Sequence, residues 1–270
     1  MNTSAFTESG KYLMLAFDHR GSFKKFINPE NPETVMDEDA MKHKKKIINC
    51  VKDQFSGILI DPDFGLEAYK SLEIDKPFLL PAEESGYKPV GEEKINMKQY
   101  EALKLKGLGA SGVKVLIYFN PEANTADQQV NFAKEILEDA HNNGMPLFLE
   151  IVTYGTENPE KVLKSVEYFV QNNVIPDVFK IEFPGSNYLC QKVTNLLGPT
   201  PWILLTRAVD YALFKEQLTM ACENGCRGFL AGRSLWQEYF DIIDPTKIES
   251  FVSETIPSRF SEIKRIVLNS

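Results

Sequence analysis

The chain has 270 residues, of which 43% are hydrophobic and 25% are charged, and this composition excludes a disordered or fibrous protein. Its 30 lysine and arginine against 38 aspartate and glutamate side chains give a net charge of −8, which argues against nucleic-acid binding. No apolar run approaches the ~18 residues of a membrane span or follows a basic start as in a signal peptide, so we expect a cytoplasmic protein with no membrane partner.

Short apolar runs, each followed by a segment of helical period, recur along the whole chain. The runs predict eight β-strands, at residues 12–17, 56–60, 78–82, 112–118, 146–152, 177–183, 201–205 and 227–231. The intervening and final segments predict eight helices, at about residues 37–54, 64–72, 96–108, 124–143, 157–172, 187–197, 210–224 and 258–268. Within the first of these helices, the basic run 42–46 is expected to form a solvated face.

The alternation of strands and helices indicates parallel strands joined by right-handed crossovers. The chain length is usual for a closed (β/α)8 TIM barrel, which we therefore predict as the fold. An open doubly wound sheet is the alternative, although it rarely needs eight regularly spaced units. No linker rich in Gly, Ser or Pro divides the chain, so we expect one domain over residues 1–270.

Cysteine and histidine positions do not predict a metal site. Cys222 and Cys226 are four residues apart, but no other cysteine or histidine is close enough in sequence to complete a zinc cluster. The four cysteines are expected to be reduced thiols, and three histidines cannot readily form a His-rich centre. We therefore expect neither a metal nor another cofactor.

Active sites of such barrels lie at the C-terminal ends of the strands, so the polar residues there are the candidates. In chain order these residues are Asp18, His19, Arg20, Asp61, Asp63, Glu83, Glu84, Lys114, Glu150, Lys180, Glu182, Thr206, Arg207, Gly232, Arg233 and Ser234.

Two lysines within predicted strands are the most informative of these residues. Alternation along the sixth strand places Val178, Lys180 and Glu182 on one face, which we expect to point into the barrel. At its ordinary pKa only about one lysine amine in 2,500 is neutral at pH 7. Desolvation or a second cation, for which Lys114 is a candidate, can lower the pKa of Lys180 and create a nucleophile. The alternative is a structural ion-pair network of both lysines with Glu150 and Glu182.

Other residues at these strand ends suggest acid–base chemistry and anion binding. Glu150 and Asp18 are candidates for a general acid or base. The turn after the eighth strand offers backbone N–H groups at Gly232 and the guanidinium of Arg233 to a phosphate. Thr206 and Arg207 after the seventh strand add a hydroxyl and a second guanidinium, at the usual phosphate site of barrels.

Eight segments together resemble a known family. They are residues 15–21, 60–65, 84–87, 113–118, 148–154, 178–182, 201–205 and 228–233, and they look like the class I tagatose-1,6-bisphosphate aldolase family, which includes sulfofructosephosphate aldolase. The first segment is also similar to the aldolase domain fused to some inositol-catabolism kinases.

The resemblance implies a (β/α)8 barrel that cleaves a phosphorylated ketose to dihydroxyacetone phosphate (DHAP) and an aldehyde. It implies that Lys180 forms the Schiff base, that Glu150 is the acid/base, and that Asp18 and Lys114 are polar residues around them. It further implies that Arg233 and the Gly232 backbone hold the phosphate.

The chain departs from the family at two substrate-contacting loops. Tagatose-bisphosphate relatives commonly have Gln in place of His19, and small residues in place of Thr206, Arg207 and Ala208. We list His19, Glu182, Thr206 and Arg207 with Gly232 and Arg233 as candidate substrate-binding residues. The resemblance therefore does not determine the aldehyde product. We expect the substrate to resemble tagatose bisphosphate, sulfofructose phosphate or a deoxy-keto-gluconate phosphate.

Two other function classes are alternatives. A non-catalytic sugar-phosphate-binding or regulatory protein would not need Lys180, Glu150 and Asp18 together. An isomerase or epimerase would not need an imine-forming lysine. Relatives suggest a homo-oligomer, a dimer or tetramer.

Overall fold

The eight apolar runs of the sequence form a closed ring of parallel strands in the computed structural model, which describes all 270 residues. The ring closes because the first strand pairs in parallel with both the second and the eighth. The strands are β1 Lys11–Phe17, β2 Gly57–Ile60, β3 Phe78–Pro81, β4 Gly112–Phe119, β5 Leu147–Thr153, β6 Val178–Ile181, β7 Trp202–Leu205 and β8 Gly228–Ala231. The predicted (β/α)8 barrel is confirmed, and the open sheet is excluded.

The helices lie outside the ring and follow the strands in the order predicted. They are α1 Gly21–Ile27, α2 Asp37–Val51, α3 Gly65–Lys70, α4 Ala102–Gly107, α5 Ala126–Asn142, α6 Lys161–Gln171, α7 Asn187–Leu197, α8 Tyr211–Glu223, α9 Arg233–Trp236, α10 Pro245–Ser250 and α11 Ile256–Leu268. None of them has both the length and the apolar character that a membrane crossing requires.

A two-stranded hairpin, Lys88–Val90 with Glu93–Ile95, lies between β3 and α4 and is not among the predicted elements. The helix α4 begins at Ala102, later than predicted, because the backbone after the hairpin pairs with the end of β3 instead of coiling. The amides of Gln99 and Tyr100 both donate to the carbonyl of Ala82. The hairpin therefore lies at the cavity end of the barrel.

Apolar side chains fill the lower half of the barrel interior. They are Tyr12, Met14, Ala16, Leu59, Leu79, Phe148, Val178, Ile203 and Leu230, and they form one cluster with Phe6. The ring of Phe6 packs edge-on against Phe148, with centroids 5.2 Å apart, and closes the N-terminal end of the barrel. Because this end is filled, the interior opens only toward the C-terminal ends of the strands.

The expectation that residues 42–46 form a solvated face is wrong for Lys44. Its side chain is fully buried between α2 and the barrel, where its ammonium pairs with the equally buried Asp61. The lysines on either side, Lys42 and Lys46, do point outward and pair with surface carboxylates. The helical period thus turns Lys44 inward. The burial of this residue is not evident from the basic composition of the run.

Candidate active site

A cavity of about 230 Å³ opens at the C-terminal ends of the strands, and most of the residues that line it are polar. It contains all the residues selected above as catalytic or substrate-binding candidates except Glu182, and of the wider set of strand-end residues Asp61, Asp63 and Ser234 also lie outside it. The lining residues used below are Asp18, His19, Glu83, Lys114, Glu150, Lys180, Thr206, Arg207, Gly232 and Arg233. Segments that follow four strands, and three further strands, therefore contribute to one site although they are distant in sequence.

Lys180 extends from β6 into this cavity, on the C-terminal side of the apolar cluster that fills the lower half of the barrel. Its side chain is only 4% exposed, and its Nζ lies 2.9 Å from Oε1 of Glu150. The pairing register of β5 and β6 places the two residues side by side, Glu150 opposite Lys180. The amine is therefore withdrawn from bulk water, lies next to a carboxylate, and still borders the cavity.

Lys114 on β4 is the centre of a cluster of carboxylates. Its Nζ lies 2.9 Å from Asp18, 2.6 Å from Glu83 and 3.2 Å from Glu150. Burial alone would lower the pKa of Lys114, but the three carboxylates raise it well above its ordinary value. Lys114 is therefore a permanent cation, and Glu150 bridges it to Lys180.

The three carboxyl groups of the cluster differ in proton affinity. Burial opposes ionisation of Asp18 and Glu150, yet the two nearby lysines hold the pKa of both below the ordinary range. Glu83 is different, because burial raises its pKa in spite of Lys114. Its Oε2 is buried without a hydrogen-bond partner, so Glu83 is the member of the cluster that most readily holds a proton.

Glu83 is not among the catalytic or substrate-binding residues predicted from the sequence, although it is one of the strand-end candidates. The only signal was its place directly after a strand end, which it shares with Glu84, and Glu84 is exposed. The structural network proposed as an alternative does exist around Lys114, Lys180 and Glu150. It differs from the expectation because it excludes Glu182 and borders an open cavity.

Glu182 does not enter the barrel, contrary to the predicted alternation. The strand ends at Ile181, and Glu182 turns toward β5, where it accepts hydrogen bonds from Thr153. Its Oε1 lies 2.6 Å from Nε of Arg207. Arg207 and Ala208 both have a positive φ, 50° and 58°, so this turn is backbone-strained for residues with a Cβ.

The guanidiniums of Arg207 and Arg233 both border the cavity, but they differ in exposure and in ion pairing. Arg207 is 47% exposed at the rim, and its Nη2 donates to the carbonyl of Thr153 at 3.0 Å. Arg233 is half-buried and has no carboxylate within ion-pair distance, so its charge is available to an anion. Thr206, which directly precedes Arg207, also lines the cavity and is buried.

His19 and Gly232 face each other across the first and eighth strands. Burial lowers the pKa of His19 to about 3, so the ring is neutral near pH 7, and its Nδ1 is buried without a partner. A Cβ added to Gly232 would lie 3.0 Å from the carbonyl oxygen of Ala16, so glycine allows the backbone to pass close to β1. The ring of His19 packs edge-on against Trp236.

No group of three or more His, Cys, Asp or Glu side chains in the structure has an arrangement suited to a metal ion. The charged groups that line the cavity are amines, carboxylates and guanidiniums. A closed barrel with such a cavity at the C-terminal ends of its strands defines a barrel enzyme whose reactive groups are side chains.

Comparison with known proteins identifies the family. Residues 12–238 match the DeoC/LacD family of aldolases, and the chain belongs to that family. The aldolase class expected from the sequence resemblance is thereby confirmed.

Similar proteins cover nearly the whole chain. Tagatose 1,6-diphosphate aldolase 1 of Streptococcus mutans is 27% identical, over 85% of this chain and 82% of that protein. Tagatose 1,6-diphosphate aldolase 2 of Enterococcus faecalis is also 27% identical, over 86% and 80%. The crystal structure of an archaeal fructose 1,6-bisphosphate aldolase has the same fold, with a TM-score of 0.67, 19% identity, and coverage of 96% and 99%.

Proposed function

We propose that this protein, as a single barrel domain over residues 1–270, is a Schiff-base-forming aldolase. It cleaves a phosphorylated ketose to DHAP and an aldehyde and needs no metal. The observation that carries the proposal is the buried amine of Lys180, which borders the cavity 2.9 Å from the carboxylate of Glu150. Family membership and the tagatose 1,6-diphosphate aldolases among its relatives support the reaction class.

The first step is condensation of Lys180 with the ketose. Glu150 accepts a proton from the Lys180 ammonium, and the neutral amine attacks the C2 carbonyl carbon to form a carbinolamine. A protonated carboxyl group then supplies the proton with which the carbinolamine hydroxyl leaves as water, giving an iminium ion. Glu150 can perform both transfers because its carboxylate touches Lys180, and Lys114 favours the return of Glu150 to its ionised form when it gives the proton up.

Carbon–carbon cleavage uses the iminium ion as the electron acceptor. Glu150 removes the proton of the C4 hydroxyl, the C3–C4 electrons move toward the iminium nitrogen, and the aldehyde leaves. The resulting enamine takes a proton at C3, and hydrolysis of the iminium releases DHAP and restores Lys180. Lys114 maintains the negative charge of Glu150 beside Lys180, and Asp18 and Lys114 contact substrate hydroxyls.

Substrate orientation comes from the cationic part of the cavity. Arg233 and the Gly232 backbone bind the C1 phosphate, because Arg233, unlike Arg207, has no carboxylate partner. Arg207 and Thr206 bind the distal anionic group, and neutral His19 contacts a hydroxyl through its free Nδ1. Glu182 serves the substrate only indirectly, by holding Arg207. Binding energy from the two ends aligns C2 with Lys180.

A panel of phosphorylated ketoses tests this function. The panel contains tagatose and fructose 1,6-bisphosphates, sulfofructose phosphate and a deoxy-keto-gluconate phosphate, and product is detected with a DHAP-specific coupled assay. At least one of them should be cleaved, and Lys180→Met should abolish cleavage. Binding of all of them without turnover would instead support the non-catalytic alternative.

We also propose that the protein acts in the cytoplasm as a dimer or tetramer. Light scattering of the purified protein measures the oligomeric state. A monomer at micromolar concentration would contradict that part of the proposal.

A further inference from the structure

Lys44 lies outside the cavity, yet it is joined to the loop that carries Asp18. Its Nζ donates to the carbonyl of Phe17 at 2.7 Å and to the carbonyl of His19 at 2.8 Å. Asp18 is the residue between these two carbonyls, and its carboxylate accepts a hydrogen bond from Lys114 at 2.9 Å. A single ammonium therefore holds the backbone on both sides of Asp18.

The third partner of Lys44 is the carboxylate of Asp61, which follows β2. The second oxygen of Asp61 accepts the amides of Asp63, Phe64 and Gly65 at 2.9–3.1 Å, and so fixes the start of α3. A Cβ at Gly65 would overlap the Asp61 carboxylate. Position 65 therefore requires glycine while Asp61 is paired with Lys44. Lys44 thus ties the loop after β1 to a turn that is itself rigid.

Lys44 places a charged group in aromatic surroundings that would suit an apolar side chain. The rings of Phe17, Phe23 and Phe64 lie with their centroids 4.7–5.1 Å from Nζ. Burying an ion pair is costly, and replacing such a pair by apolar side chains is often neutral or stabilising. Stability alone therefore gives little reason for a fully buried lysine here, whereas the two loop carbonyls do need a donor.

We propose that Lys44 is a positioning residue of the aldolase reaction, which fixes Asp18 against Lys114 through the carbonyls of Phe17 and His19. The inference rests on the proposed function, because it assumes that Asp18 takes part in the reaction. It assigns the Asp61–Gly65 turn to the support of this lysine and not to the substrate.

A double-mutant cycle between Lys44 and Asp18 tests the proposal. Lys44→Met should lower kcat about a hundredfold with KM nearly unchanged, because a displacement of the order of 1 Å has an effect of that size. In the Asp18→Asn background the same substitution should change kcat by less than about threefold. Each rate is divided by the folded fraction, measured by urea unfolding.

Asp177→Asn is the matched control, because Asp177 is a buried carboxylate at the opposite end of the barrel, bonded to His141 and the amide of Leu147. It should lower stability without lowering kcat per folded molecule. If Lys44→Met does not accumulate as folded protein, Asp61→Asn is measured in its place, because it removes the carboxylate partner of Lys44. It should lower kcat about tenfold at constant KM, and this effect should disappear with Asp18→Asn.

Two results would overturn the inference. One is an unchanged kcat in the folded variant, and the other is the same loss of kcat with and without the Asp18 carboxylate, as a general loss of structure would produce. If Asp18→Asn and Lys180→Met both keep full activity, the proposed function fails instead, so the two failures can be told apart.

Discussion

Lys114→Met is the substitution with the largest predicted effect on stability, because Lys114 neutralises three buried carboxylates. At the observed distances of 2.6–3.2 Å each contact has a gross attraction of about 5–6 kcal/mol at an effective dielectric constant of about 20. The cost of burying the ammonium offsets much of this sum. Removing one partner from a buried ion pair typically costs about 3–5 kcal/mol, and we expect about 4 kcal/mol here.

The pH dependence of this loss follows from the carboxylates. Lys114 lowers the pKa of Asp18 and Glu150, so it contributes stability that is present above their unfolded pKa values, near pH 4, and lost as pH falls. In Lys114→Met their pKa values rise and the carboxyls take up protons. The deficit in the free energy of unfolding should therefore be full at pH 7 and should shrink progressively below pH 5.

Urea unfolding at pH 7, 5 and 4 measures both quantities. Lys46→Met is the control, since Lys46 forms a surface pair with Glu249 whose loss should cost less than about 1 kcal/mol. A loss below 1 kcal/mol for Lys114→Met at pH 7 would refute this reasoning. A deficit that is equal at every pH would refute the assignment to the carboxylates.

Three further predictions concern individual side chains. Glu150→Gln should lower kcat about 10²–10⁴-fold in steady-state assays, because it removes the proton acceptor, and a decrease below tenfold would contradict that role. Arg233→Met should raise KM about tenfold or more while kcat changes less, and should weaken inhibition by inorganic phosphate; unchanged inhibition would place the phosphate elsewhere. His19 has a pKa of about 3 when folded and about 6.5 when unfolded, so its protonation in the unfolded chain lowers the free energy of unfolding by about 1.4 kcal/mol between pH 7.5 and 5.5. His19→Gln should remove that part of the pH dependence in urea unfolding, and an identical dependence would show that His19 is not its source.

The barrel was predictable from the sequence because its signals are local. Each strand is a short apolar run, and each helix has an amphipathic period. The regular alternation of strands and helices is typical of one common architecture, the (β/α)8 barrel. The placement of Lys114, Glu150 and Lys180 in the interior follows from the alternation of side chains along a strand. The hairpin at Lys88–Val90 was missed because its strands are only three residues long and exposed or half-buried.

The errors at the site arise where a regular pattern ends. Glu182 was assigned to the interior because the alternation was continued one residue beyond the end of β6. Lys44 was assigned to solvent because its neighbours are basic, and only the helical phase and the partner Asp61, from another element, determine its burial. The proton affinity of Glu83 depends on burial and on Lys114, and neither is visible in the residues next to it.

The central claim is that Lys180 forms a covalent imine with a sugar ketone. Incubation with DHAP and sodium borohydride, followed by proteolysis and peptide mass measurement, should place the reduced adduct on Lys180 and stop the enzyme irreversibly. Lys180→Met should take up no adduct under the same conditions. An active enzyme that is not trapped, or an adduct on Lys114 or any other lysine, would contradict the account.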